Sequence, residues 1–168
     1  MKNEDISRFK VLGVVANYTL HWHGDYYQAG DVTLGKRNKN KMRAQPLIND
    51  GATVTFSSDV FTPDEIHRAN PFLGIQIGHN RQDLDGGENA PIMLPISERL
   101  SLKDIIKGYT INASYQLRMN EVRGSIERGK FADFVVLKES LFKLNRYDIH
   151  KTEPEMTFVD GKMVFKNT

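Results

Sequence analysis

Ala52-Thr53-Val54-Thr55-Phe56-Ser57-Ser58-Asp59 is the stretch that decides how the rest of the chain is read. Val54 and Phe56 are apolar, Thr53 and Thr55 are β-branched, and Gly51 ahead of them ends whatever precedes. Such a run, closing on small polar side chains, has the pattern of a buried strand. Asp59 then stands at the strand's C-terminal end, where α/β folds gather ligands and chemistry. Asp59 or Ser58 would serve equally as the N-cap of a following turn. The local pattern leaves both roles open.

Upstream, Asp5 to Leu12 sets Ile6, Phe9, Val11 and Leu12 mostly on one face, the mark of a short amphipathic helix stopped by Gly13. Val14 to Leu20 follows as a first buried strand. Lys41 to Asn49 is a helix shortened by Pro46 and closed by Asn49-Asp50-Gly51. Two strands joined through a helix should be parallel, with a right-handed crossover. Between them, Tyr26 to Asn40 reads as a long loop, a class that tends to be functional or mobile.

The first strand runs into His21-Trp22-His23-Gly24-Asp25. Histidines at i and i+2 on an extended segment project to the same side and could grip one metal ion. Without further ligands nearby, the pair is instead a polar rim or the lining of a substrate pocket.

Downstream, Thr62-Pro63-Asp64-Glu65 starts a helix or turn, and Asn70 to Arg81 is helical in pattern, its proline tolerated in the first turn. His79 and Arg81 at its end are expected to face a polar surface. Gln82 to Pro95 is a loop. Ser101-Leu102-Lys103-Asp104 resembles a capping box and opens a helix to about Met119, with Ile105, Ile106, Tyr109, Ala113 and Leu117 as its buried stripe. Two tight turns over Gly124 to Lys130, a strand over Phe131 to Leu137 and a polar stretch with Asp148-Ile149-His150 follow. Asp160-Gly161 turns a closing hairpin.

The 168 residues, 39% of them hydrophobic, suffice for a core of their own. Lys36 to Arg43 carries five positive charges, but no aromatic residue interleaves there as single-strand binding would require; it reads as a solvated loop and helix start, with no nucleic-acid partner. The absence of cysteine excludes disulfides, thiolate nucleophiles and Cys-ligated zinc. No apolar run is long enough to cross a bilayer, and Met1 to Asp5 is no signal peptide, so a cytoplasmic location without membrane partners is expected.

The C-terminal third carries a family resemblance. Tyr109-Thr110-Ile111-Asn112-Ala113-Ser114-Tyr115, then Gly124-Ser125-Ile126-Glu127-Arg128-Gly129-Lys130-Phe131-Ala132-Asp133, then the Val159-Asp160-Gly161-Lys162-Met163-Val164 hairpin, resembles the end of an amidohydrolase-superfamily enzyme. With Phe72-Leu73-Gly74-Ile75-Gln76 and Asp5-Ile6-Ser7-Arg8-Phe9, the chain is most similar to the amidohydrolase family 3 type, metal-dependent hydrolases related to N-acyl-amino-acid deacylases. The resemblance implies an α/β fold: residues 1–122 as the last strands and helices of a (β/α) barrel, and 123–168 as part of a small antiparallel β-sandwich. It implies that Asp59 ends the eighth barrel strand, as metal ligand and as the base that takes a proton from the attacking water. His21 would end the seventh strand, facing substrate, with His23, His79 and Arg81 as further candidates for the substrate rim. A (β/α)8 barrel needs about 250 residues, so the first six strands, and the other metal ligands with them, are expected to be missing.

Two functions follow. One is the C-terminal part of a metal-dependent hydrolase of amide or other non-peptide C–N bonds in small molecules, zinc being the expected metal of the intact enzyme and none being expected on this chain alone. The other is a non-catalytic module that covers its cut face by self-association, by a partner or by the missing N-terminal part.

Overall fold

The computed structural model describes residues 1–24 and 33–167, so most of the early part of the loop expected over 26–40 lies outside the described residues. Strands β1 (Ala16–Thr19) and β2 (Val54–Ser57) pair in parallel, in register from Ala16 opposite Val54 to Thr19 opposite Ser57. Val54, Thr55 and Phe56 are all buried, so β2 is covered on both faces, as parallel strands are. Both strands are shorter than their apolar runs. The crossover contains helix α2 (Gln45–Asp50), where Pro46 sits in the first turn and opens the helix instead of cutting it short. Gly51, at φ +84°, ends it in the left-handed region.

Helix α1 (Ile6–Val11) packs on α2 through half-buried Ile6 and Phe9, while Val11 and Leu12 are 82% and 65% exposed. Its buried stripe is narrower than the sequence suggests. The basic run holds a 3₁₀ helix, Gly35–Asn40, and its last cation, Arg43, turns inward to Glu98 at 3.5 Å.

Helix α3 (Pro71–Asn80) starts from Asn70, whose side chain accepts from the Phe72 amide at 3.0 Å. It is buried nearly all round, and Gly78 leaves the space that Leu20 fills. The 3₁₀ turn Ile149–Lys151 packs against it: the His150 amide donates to Gln76 Oε1 at 2.9 Å, and Ile149 is fully buried. A polar-looking segment therefore supplies core.

The helix expected from Ser101 to Met119 is two helices, α4 (Leu102–Tyr109) and α5 (Ile111–Gln116). Ser101 caps the first, its Oγ accepting from the Asp104 amide and donating to Asp104 Oδ2. Thr110 breaks the run at φ −117°, ψ −98°, and its hydroxyl donates back to the Ile106 carbonyl at 2.7 Å, a local alternative to helix continuation. Beyond the break the stripe fails: Leu117 is 69% exposed.

The second sheet is antiparallel, in the order β3 (Phe134–Leu137), β4 (Pro154–Val159), β5 (Lys162–Lys166). Asp160 and Gly161, at φ +52° and +74°, turn the hairpin as expected. The strand expected from Phe131 begins three residues later, because the preceding residues hold that turn. Asp133 Oδ1 accepts from the Asp160 amide at 2.8 Å, the Ala132 carbonyl accepts from the Gly161 amide at 3.0 Å, and Arg123 pairs with the other Asp133 oxygen. No helix among the described residues is long and apolar enough to cross a membrane.

Candidate functional site

Asp59 lies two residues beyond β2, exposed, on backbone at φ +55°. That left-handed conformation is uncommon outside glycine and asparagine-like residues. Asp59 does not cap the next turn: the 3₁₀ helix Pro63–Ala69 starts from Thr62. Its Oδ2 instead accepts a hydrogen bond from Trp22 Nε1 at 3.1 Å. Trp22 belongs to the turn after β1, so the contact joins the C-terminal ends of the two parallel strands. Across the indole face lies the Arg68 guanidinium, 4.9 Å from the ring centroid, 5% exposed and paired with Glu65 one helical turn earlier.

The two histidines do not act as a pair. Leu20 to His23 is a 3₁₀ helix, not an extended segment, so side chains two apart point in different directions. His21 lies against Gly74, and both its ring nitrogens are buried without a hydrogen-bond partner among the described residues. Burial, then the Arg68 and His67 charges, push its pKa down to about 4. The Tyr109 hydroxyl also closes on Gly74, where a Cβ would sit 2.7 Å from it, and it too is buried with no partner among the described residues. His23 turns toward the Tyr18 ring, its Nδ1 3.4 Å from the Thr19 carbonyl; burial, then Arg81, push it down to about 3. Both imidazoles are therefore neutral at physiological pH.

His79 and Arg81 serve the main chain. His79 Nδ1 is 2.8 Å from the Leu100 carbonyl, and burial lowers its pKa. Arg81 does not face a polar surface: it is fully buried and donates to the carbonyls of Met93 at 3.0 Å, Met42 at 3.3 Å and Leu94 at 3.4 Å. Its place at the left-handed C-cap of α3 turns the guanidinium inward over the loop that follows. Trp22, Arg68 and Tyr109, which no sequence pattern marks as site residues, gather here: Trp22 bonds Asp59, Arg68 lies over Trp22, and Tyr109 meets Gly74 beside His21. The one available signal was that Trp22 is the chain's single tryptophan, set between two histidines after a strand.

Among the described residues, no three His, Cys, Asp or Glu side chains come together to hold a metal ion. A catalytic zinc takes about three protein ligands, and Asp59 offers one carboxylate. The described residues do not by themselves fit a metal centre.

The amidohydrolase family profile matches residues 1–165. The chain belongs to the amidohydrolase family. It is 27% identical over its whole length to a protein described as the putative amidohydrolase YtcJ in Bacillus subtilis, covering 31% of that protein. Over 74% of its length it is 34% identical to a protein described as a probable imidazolonepropionase in Xenopus tropicalis, covering 25% of it. It thus spans about a quarter to a third of these relatives. Guanine deaminase of E. coli shares the fold of this amidohydrolase chain, with a TM-score of 0.61 at 14% identity over 100% of this chain and 38% of the other.

Proposed function

We propose that this chain is the C-terminal portion of a metal-dependent amidohydrolase that cleaves an amide or other non-peptide C–N bond in a small molecule. The observation that carries the reading is the exposed carboxylate of Asp59 at the end of a parallel strand, held from the end of its neighbour. When a divalent metal is bound in such enzymes it lowers the pKa of water to about 7. In such an intact enzyme Asp59 would be the carboxylate of this chain that accepts a proton, a role that needs only hydrogen-bond reach. His21, buried against Gly74 beside Tyr109, is the further residue that this reading assigns to the substrate pocket. Residues 1–122 are the barrel part and 123–168 the sandwich part, and the lack of cysteine suits a reducing cytoplasm.

Two measurements test this. The purified chain, supplied with zinc, should retain no stoichiometric metal and turn over no N-acyl or cyclic amide. Grafted in place of the matching segment of YtcJ, it should support metal-dependent hydrolysis that Asp59→Asn abolishes. Zinc-dependent turnover by the chain alone, or an active Asp59→Asn graft, would overturn the assignment.

One observation favours a second reading, a self-associating module. Among the described residues β1 and β2 have no further partner strands, and Val11, Leu12 and Val14 lie exposed just before β1. Sedimentation distinguishes the two: a stable dimer supports the module, and a well-behaved monomer argues against it.

A further inference from the structure

We infer that Trp22 is a positioning residue for Asp59, holding the carboxylate in one orientation through Oδ2, and that Arg68 acts through Trp22 by holding the indole plane. The inference rests on the reading of Asp59 as proton acceptor. An exposed aspartate at the tip of a strand has neither burial nor sheet pairing to select its rotamer, and an unrestrained side chain loses the orientation that a relay needs. Here Oδ2 is taken by the indole N–H at 3.1 Å, within the normal range for an N–H donor. Hydrogen bonds to a carboxylate are among the stronger kind. Indole is a donor only, so Trp22 can hold the oxygen without competing for the proton. That leaves both acceptor sites of Oδ1, against one of Oδ2, open to other partners.

The indole is itself fixed. It stands on the short turn after β1, three residues beyond the Thr19–Ser57 pair, and Arg68 covers its face from the 3₁₀ helix after β2. A cation over a tryptophan face is attracted to it. The contact also gives a physical reason for an arginine only 5% exposed whose one carboxylate partner among the described residues, Glu65, comes from its own helix. Three segments that follow β1 or β2 are thus locked around one oxygen atom.

The chain has one tryptophan, so its indole N–H gives a single resonance in a nitrogen-15-labelled sample. Asp59→Ala should move that resonance upfield and speed its exchange with water about tenfold, as expected for loss of a hydrogen bond to a charged group. Asp50→Ala, at the end of α2, should leave it in place. Arg68→Gln should shift it by a smaller amount while the fold is kept. An indole resonance unmoved by Asp59→Ala overturns the inference, and the test requires no change at Trp22 itself. In the active YtcJ graft, Trp22→Phe should lower kcat about tenfold with KM unchanged. Full turnover by Asp59→Asn would overturn the reading of Asp59 and the positioning role with it. A silent Asp59→Asn beside a Trp22→Phe variant as fast as its parent would overturn positioning alone.

Discussion

Gly108 of α4 lies flat against the Phe56 ring of β2, so close that a Cβ added at Gly108 would overlap the ring's Cδ2 and Cε2 atoms. Both residues are buried, and the contact sets how near the helix comes to the parallel pair. Gly108→Ala should gain about 1 kcal/mol in helix propensity and lose more to overpacking, which typically costs 1–3 kcal/mol. The expected result is a lower urea midpoint, partly restored by Phe56→Leu in the same chain. Full additivity of the two changes would show that the contact does not couple them.

Arg81 should be far more sensitive to substitution than a residue at a helix end usually is. Arg81→Met leaves the carbonyls of Met93, Met42 and Leu94 without their donor and should destabilise by about 2–4 kcal/mol. Arg81→Lys should recover little, since one ammonium cannot reproduce the guanidinium fork. Equilibrium unfolding checks both; a loss below 0.5 kcal/mol for Arg81→Met would contradict the clamp.

Acid should weaken the fold earlier than its carboxylates alone predict. His21 and His23 are held to about 4 and about 3 in the folded chain, chiefly by burial, against about 6.5 when unfolded. Between those values the unfolded chain binds the extra protons. Stability is therefore full above pH 6.5 and falls as pH drops toward 4, by up to about 1.4 kcal/mol per pH unit for each histidine. Urea titrations at pH 7 and pH 4.5 measure the drop, and His21→Phe should flatten it.

Tyr109→Phe should be neutral or stabilising. The hydroxyl it removes is buried beside Gly74 with no hydrogen-bond partner among the described residues, and deleting an unsatisfied polar atom relieves a desolvation cost of about 1–3 kcal/mol. A clear loss of thermal stability would show instead that the hydroxyl is satisfied in solution.

The parallel pair, the helix after Asn70 and the Asp160-Gly161 hairpin were legible because each rests on local chemistry: β-branched runs, a capping asparagine ahead of a proline, and a turn needing positive φ. Of the candidate site, only the position of Asp59 just beyond a strand end was legible. A period-2 reading put His21 and His23 side by side, but the strand ends at Thr19 and a 3₁₀ turn takes over, which no side-chain pattern at those positions announces. Arg81 looked like a surface residue because charge normally seeks water; its inward path depends on carbonyls of Met42 and Met93, distant in sequence. Arg68 was hidden for the same reason, since its aromatic partner lies in another segment.

The β1–β2 pair has a further consequence for protein engineering. With both outer hydrogen-bonding rims unpaired among the described residues, it forms a seam at which foreign strands can be joined on either side without dismantling an existing ladder. A designer swapping half-barrels between hydrolases would find here a ready junction, with the Trp22–Asp59 bond travelling intact inside the transplanted piece.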